Sequence, residues 1–195
     1  MAISMLIEED LFVANPLPTN NGYSWTLASR LGEMLHRAEQ LFGPRDQSYT
    51  ILGVEFSSGT PQLWYPGSRK HIVIQLTNEC LTDSVRAHYQ LAHESVHLLA
   101  PTGGKNANVL EEGLAMYFAD TYLHDIFAKF MPPGLTSYAA AAEKVRQLLA
   151  IDQNLVRTLR IKQPAIHLTT ADDILAVRPD VPRDLAECLV KPFIR

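Results

Sequence analysis

Two histidines four residues apart constrain this chain more than any other feature. His93-Glu94-Ser95-Val96-His97 has the form His-Glu-x-x-His, and Glu112 follows after fourteen intervening residues. On a helix, positions i and i+4 share a face and lie about one turn apart. Both imidazoles can then aim at a single point. Zinc asks for this, with nitrogen ligands at short range in a tetrahedral set and one position left open for chemistry. Glu94, beside the first histidine, is placed to take a proton from a water on such an ion. The demand falls on the fold, because residues 85–99 have to be helical. Val85, Tyr89, Ala92, Val96 and Leu99 recur at helical spacing and make an apolar face. Ser84 reads as the N-cap and Pro101-Thr102-Gly103-Gly104 as the stop.

A third ligand has to come from elsewhere. Residues 109–122 are apolar nearly all round, with Leu110, Leu114, Ala115, Met116, Phe118 and Ala119, which is the pattern of a buried helix. A carboxylate at Glu112 is costly there unless it is paired or bound to a metal. Gly113 beside it lets another backbone come close. Glu111 is the rival; in the first turn, it is expected to face water near the helix start.

The two blocks, His93 to His97 and Leu110-Glu111-Glu112-Gly113-Leu114-Ala115-Met116-Tyr117-Phe118, resemble the gluzincin metallopeptidases, which include thermolysin-like and aminopeptidase-type domains. The second block is similar to that group's helix with a Glu-Gly-x-Ala-x-Tyr pattern. The resemblance implies zinc held by His93, His97 and Glu112, Glu94 as base and proton shuttle, and a peptide or protein substrate. It also makes the strand before the motif helix, 71–77, a candidate sheet edge for an extended peptide, with an interior strand as the alternative. It spans about thirty residues of the chain. The spacer before Glu112 is shorter than in the best-known members, and no exopeptidase signature accompanies it, so aminopeptidase activity is not implied. The reading from another class is a zinc-binding regulatory or interaction module of the same fold without turnover.

The rest of the chain bounds this reading. Its 195 residues suit a single zincin-like domain of α+β class, a small sheet packed beside the zincin-type helix pair with a helical C-terminal part. Residues 1–80 supply a helix plus the small sheet, and 81–195 the helical part that carries the metal site. A net charge of −4 gives no basic footprint for nucleic acid. No apolar run is long enough for a membrane span. The N-terminal stretch lacks a basic region and turns acidic at Glu8-Glu9-Asp10, unlike a secretory signal. Two cysteines make no disulfide framework, and a cytoplasmic address is expected. Glu79-Cys80-Leu81-Thr82 is faintly similar to the cysteine-ligand segment of peptide deformylases. It lies too close to His93 for that arrangement, and Cys80 reads as a small buried apolar residue.

In chain order, 1–22 are turn-rich, with Leu11-Phe12-Val13 a short strand or tether. A helix is expected from Ser24 to Phe42, then strands at 49–56, 63–65 and 71–77 in an antiparallel or mixed sheet. Asn106 or Asn108 is expected to cap the second site helix, and Asp120 to be a candidate acceptor for a ligand histidine. Thr136 or Ser137 caps a helix to Ala150, a short helix follows over 152–160, Thr170 and Asp173 approximate a capping box, and Asp180 with Pro182 opens a last helix to Lys191. Amide hydrolysis also needs a second donor toward the developing oxyanion. Tyr138, His124 and His167 are candidates, with Tyr117 and Tyr122 behind them.

Overall fold

The computed structural model describes residues 26–67, 69–103, 107–131 and 135–195. The expectations for 1–22, for Leu11-Phe12-Val13 and for Ser24 fall outside these residues. So do Gly104, Lys105 and Asn106 between the two site helices, and Pro132-Pro133-Gly134.

The architecture is α+β, with seven α-helices and one three-stranded sheet among the described residues. Helix α1, Leu27–Phe42, starts at Thr26, whose side chain accepts from Ser29 N while the Ser29 hydroxyl answers the Thr26 amide. Its stripe buries Leu27, Leu31, Met34, Ala38 and Phe42, while Leu41 stays exposed. Gly43 ends it at φ +95, a conformation that favours glycine.

Strands β1 (Thr50–Ser57), β2 (Gln62–Trp64) and β3 (His71–Thr77) form a mixed sheet in the order β1-β3-β2. β1 runs parallel to β3 and β2 antiparallel to it. The 71–77 strand is therefore central and not an edge. Its run of Ile72, Val73, Ile74 and Leu76 is buried, as expected of a strand covered on both faces. The short β2 takes the outer place.

A 3₁₀ turn, Asn78–Leu81, leads into α2, Ser84–His97. Its cap is Asp83, which accepts from Arg86 N, and Ser84 is already helical. Cys80 is buried and donates to Gln90, away from the histidines. Helix α3, Val109–Phe127, is capped by Asn108 through Glu111 N. Helix α4, Thr136–Ile151, has Leu135 at its start and no side-chain cap, so neither Thr136 nor Ser137 serves. A Cβ on Gly113 would stand 2.5 Å from the Ala141 carbonyl oxygen, so glycine is what lets α3 and α4 approach.

The remainder is short helices: α5 (Leu155–Lys162), a 3₁₀ turn at Ile166–Leu168, α6 (Ala171–Val177) and α7 (Arg183–Leu189). The Thr170–Asp173 capping box is present. Pro182 occupies the cap position of α7. One buried apolar cluster joins β3, all seven helices and the connections between them. Arg160 staples it: its guanidinium donates to the carbonyls of Phe42, Gly43, Pro44, Leu99 and Pro164, tying the ends of α1 and α2 to α5. No helix among the described residues is long and apolar enough to cross a membrane.

Candidate metal centre

Helices α2 and α3 pack together and bring three side chains to one point. The ligand atoms of His93, His97 and Glu112 all lie within 4.8 Å of one another. The two imidazole Nε2 atoms are 3.3 Å apart. Glu112 Oε2 stands 3.3 Å from His93 Nε2 and 3.8 Å from His97 Nε2. Ligands held about 2.0–2.1 Å from a tetrahedral zinc are themselves about 3.3 Å apart, so the triangle has the right size. Its chemistry fits as well. Glu112 Oε2 is buried without a well-formed hydrogen bond, its neighbours being the two imidazole Nε2 atoms, and a cation between the three groups would satisfy it.

Glu111 completes the arrangement. It is not at the water-facing helix start: it is 1% exposed. One of its oxygens lies 2.8 Å from His97 Nδ1 and accepts from it. A proton fixed on Nδ1 leaves the Nε2 lone pair facing His93 and Glu112. Adjacent residues on a helix point about 100° apart, so the Glu111-Glu112 pair serves two atoms at once, one carboxylate at the centre and one behind a ligand. Sequence reasoning missed this role, because the apolar pattern of α3 shows a buried helix but not that Glu111 in its first turn meets His97 across from it. Asp120 touches neither imidazole and accepts instead from Arg146 at 2.8 Å.

Glu94 is buried beside the triad. Burial pushes its pKa up, the imidazoles of His97 and His93 pull it down, and Glu112 pushes it up again. The net rise moves a carboxylate toward neutral pH, which suits a proton acceptor. For His97, burial disfavours the charge, but the Glu111 hydrogen bond and the charges of Glu111, Glu94 and Glu112 outweigh it and push the ring up to about 10. Glu112 is held low: burial opposes ionisation, and the close approach and charges of His93 and His97 overcome it.

The triad lies at the floor of a cleft of about 880 Å³. One wall is β2 and the turn before it, through Thr60, Gln62 and Leu63; the other is Met131, Leu135 and Tyr138 at the start of α4. Among the oxyanion-donor candidates, only Tyr138 lines this cleft. Its ring stands edge-on to His93 at 6.1 Å. Tyr122 is buried and donates to Glu33, His124 lies exposed against Phe130, and Tyr117 packs on the core. His167 sits in the 3₁₀ turn after α5, outside the cleft. Phe193 and Arg195 also line the cleft, and no spacing in the sequence could have assigned them there.

Comparison with protein-family models, curated proteins and solved structures returns no match for this chain.

Proposed function

We propose that this chain is a zinc metallopeptidase of gluzincin type, hydrolysing peptide bonds in a peptide or protein substrate. The observation that carries the reading is the convergence of His93, His97 and Glu112 on one point, with the buried Glu94 beside it. His93, His97 and Glu112 would hold the zinc, and Glu111 fixes the His97 ring from behind. Zinc, when bound, supplies Lewis acidity toward a carbonyl and acidifies water. Glu94 takes the proton from the attacking water and returns it to the leaving amine. The Tyr138 hydroxyl donates to the developing oxyanion. β2 offers main-chain groups to an extended substrate, since among the described residues it pairs with β3 alone. Two free cysteines, Cys80 and Cys188, fit a reducing, cytoplasmic setting.

Metal content and a peptide-library digest with and without chelator test this. The expected result is one zinc per chain and chelator-sensitive cleavage. Glu94→Gln should keep the zinc and lose cleavage by a factor of about 100 or more. Cleavage by Glu94→Gln at the parental rate would remove Glu94 as base. Zinc without any metal-dependent cleavage would make the protein a zinc-binding regulatory or interaction module.

A further inference from the structure

The segment after α7 returns to the metal centre. Val109 N donates to the Lys191 carbonyl at 2.9 Å and Phe193 N to the Ala107 carbonyl at 3.0 Å. Residues 191–193 thus pair antiparallel with the stretch that enters α3. The Phe193 ring packs on Tyr138, centroids 4.7 Å apart. Tyr138 is held between that ring and His93. These contacts carry Arg195 into the cleft wall, where its guanidinium lies beside the Tyr138 hydroxyl and within electrostatic reach of Glu94 and Glu112.

The guanidinium's partner there is the neutral Tyr138 hydroxyl, which leaves its charge without a counter-charge. Among the described residues it makes no ion pair within 4.0 Å of a carboxylate. The other cation on the cleft, Arg86, is committed to Asp83 at 3.3 Å. In the peptidase reading Glu112 is a metal ligand and Glu94 the base, so in a loaded site neither carboxylate would be available to Arg195. A guanidinium presents a planar fork of donors that matches a carboxylate. Main-chain pairing at 191–193 and the Phe193 ring fix the backbone that leads to it, which lowers the ordering cost when an anion arrives.

We propose that Arg195 anchors a carboxylate of the substrate, setting specificity at the metal centre for a peptide that carries an anionic group close to the scissile bond. The inference rests on the peptidase reading for its substrate class. The carboxylate has two sources, the C-terminus of a short peptide or an Asp or Glu side chain within a longer one.

The test uses three acetylated peptides of one apolar sequence: a free C-terminus, an amidated peptide with an added Asp, and a neutral amide. Their binding to the zinc-loaded full chain is measured by calorimetry in the Glu94→Gln background, which keeps bound peptide intact. One of the two acidic peptides should bind about tenfold or more tightly than the neutral amide, and the arm that does so names the source. The added change Arg195→Ala should erase that preference and Arg195→Lys restore part of it. Three equal affinities, or a preference that survives Arg195→Ala, overturns the proposal. So does Arg195→Ala in the otherwise unaltered chain if it speeds cleavage of all three peptides alike, since Arg195 would then be a plug. Failure of the peptidase reading looks different: the unaltered chain cleaves nothing, while the Arg195-dependent preference in binding persists.

Discussion

Glu111 and Glu112 are the same side chain one residue apart, and the helix gives them different work. Glu112 faces the point shared by the two imidazoles, while Glu111 accepts from the far nitrogen of His97. Partners behind a ligand histidine fix its tautomer and ring orientation, and losing one weakens metal binding about 10–100-fold. Glu111→Gln should therefore raise the zinc dissociation constant by about that factor, measured by competition with a chromophoric chelator. Glu112→Ala should do worse, by removing a ligand outright. Unchanged affinity in Glu111→Gln would leave the His97 contact without a role in metal binding. A second residue outside the site makes a pH prediction. Burial holds the His88 imidazole down to about 4, with the Arg30 charge helping, against the Ser84 carbonyl and Glu33. The unfolded chain has the ordinary value of about 6.5. Above 6.5 neither state binds the proton and the folded state keeps its full stability. Between 6.5 and 4 the unfolded chain takes up a proton that the folded chain refuses, so stability falls as pH falls, by about 1.4 kcal/mol per unit. His88→Gln should remove about 2 kcal/mol of the loss between pH 7 and pH 5. Urea midpoints at the two pH values in both proteins check it, and equal losses would clear His88.

At the scale of elements, the site depends on how closely three helices can pack. α2 gives two imidazoles, α3 gives the carboxylates, and α4 gives Tyr138. Gly113 sets the α3–α4 distance, since a Cβ there would meet the Ala141 carbonyl oxygen at 2.5 Å and Val145 Cγ2 at 2.6 Å. Gly113→Ala should push α4 outward and destabilise the fold by about 1–3 kcal/mol. It leaves the α2 and α3 ligands in place, so zinc content should be kept while any cleavage that depends on Tyr138 falls. A fully stable, fully active Gly113→Ala would mean that α4 yields without consequence. This close approach was legible in the sequence, as were β3, both site helices and the Thr170 box, because each is written in a local pattern of apolar spacing, cap or glycine. What the sequence did not carry is non-local. β3 became the central strand because β2 folds back on it, which no residue within 71–77 encodes. The α2 cap is Asp83, one residue before Ser84, because its carboxylate reaches Arg86 N. Glu111 and Arg195 acquired their places only from what packs across from them.

For the molecule as a whole, the question is whether the fold needs its ion. The apolar cluster runs from β3 through α7 without interruption at the site, and Arg160 ties the ends of α1 and α2 to α5 by neutral carbonyl contacts. Neither depends on a metal. Metal-free, the site carries one positive charge against its carboxylates, because Glu111, Glu94 and Glu112 hold a proton on His97 up to about pH 10. That proton is the stand-in for the ion, and zinc has to displace it. Zinc affinity should therefore rise with pH up to about 10, and binding should release protons, read as a dependence of the calorimetric heat on buffer ionisation enthalpy. The chelated chain should still unfold in one cooperative transition, at a lower temperature than the zinc-loaded one. At free zinc a thousandfold above the dissociation constant the added stability is about 4 kcal/mol, or roughly 8–16 °C in Tm for a chain of this length. Stripping the zinc should undo that shift, and adding it back should restore it. A Tm that ignores zinc at every pH would mean that the two helices meet for packing alone, and the hydrolase reading would lose its foundation with them.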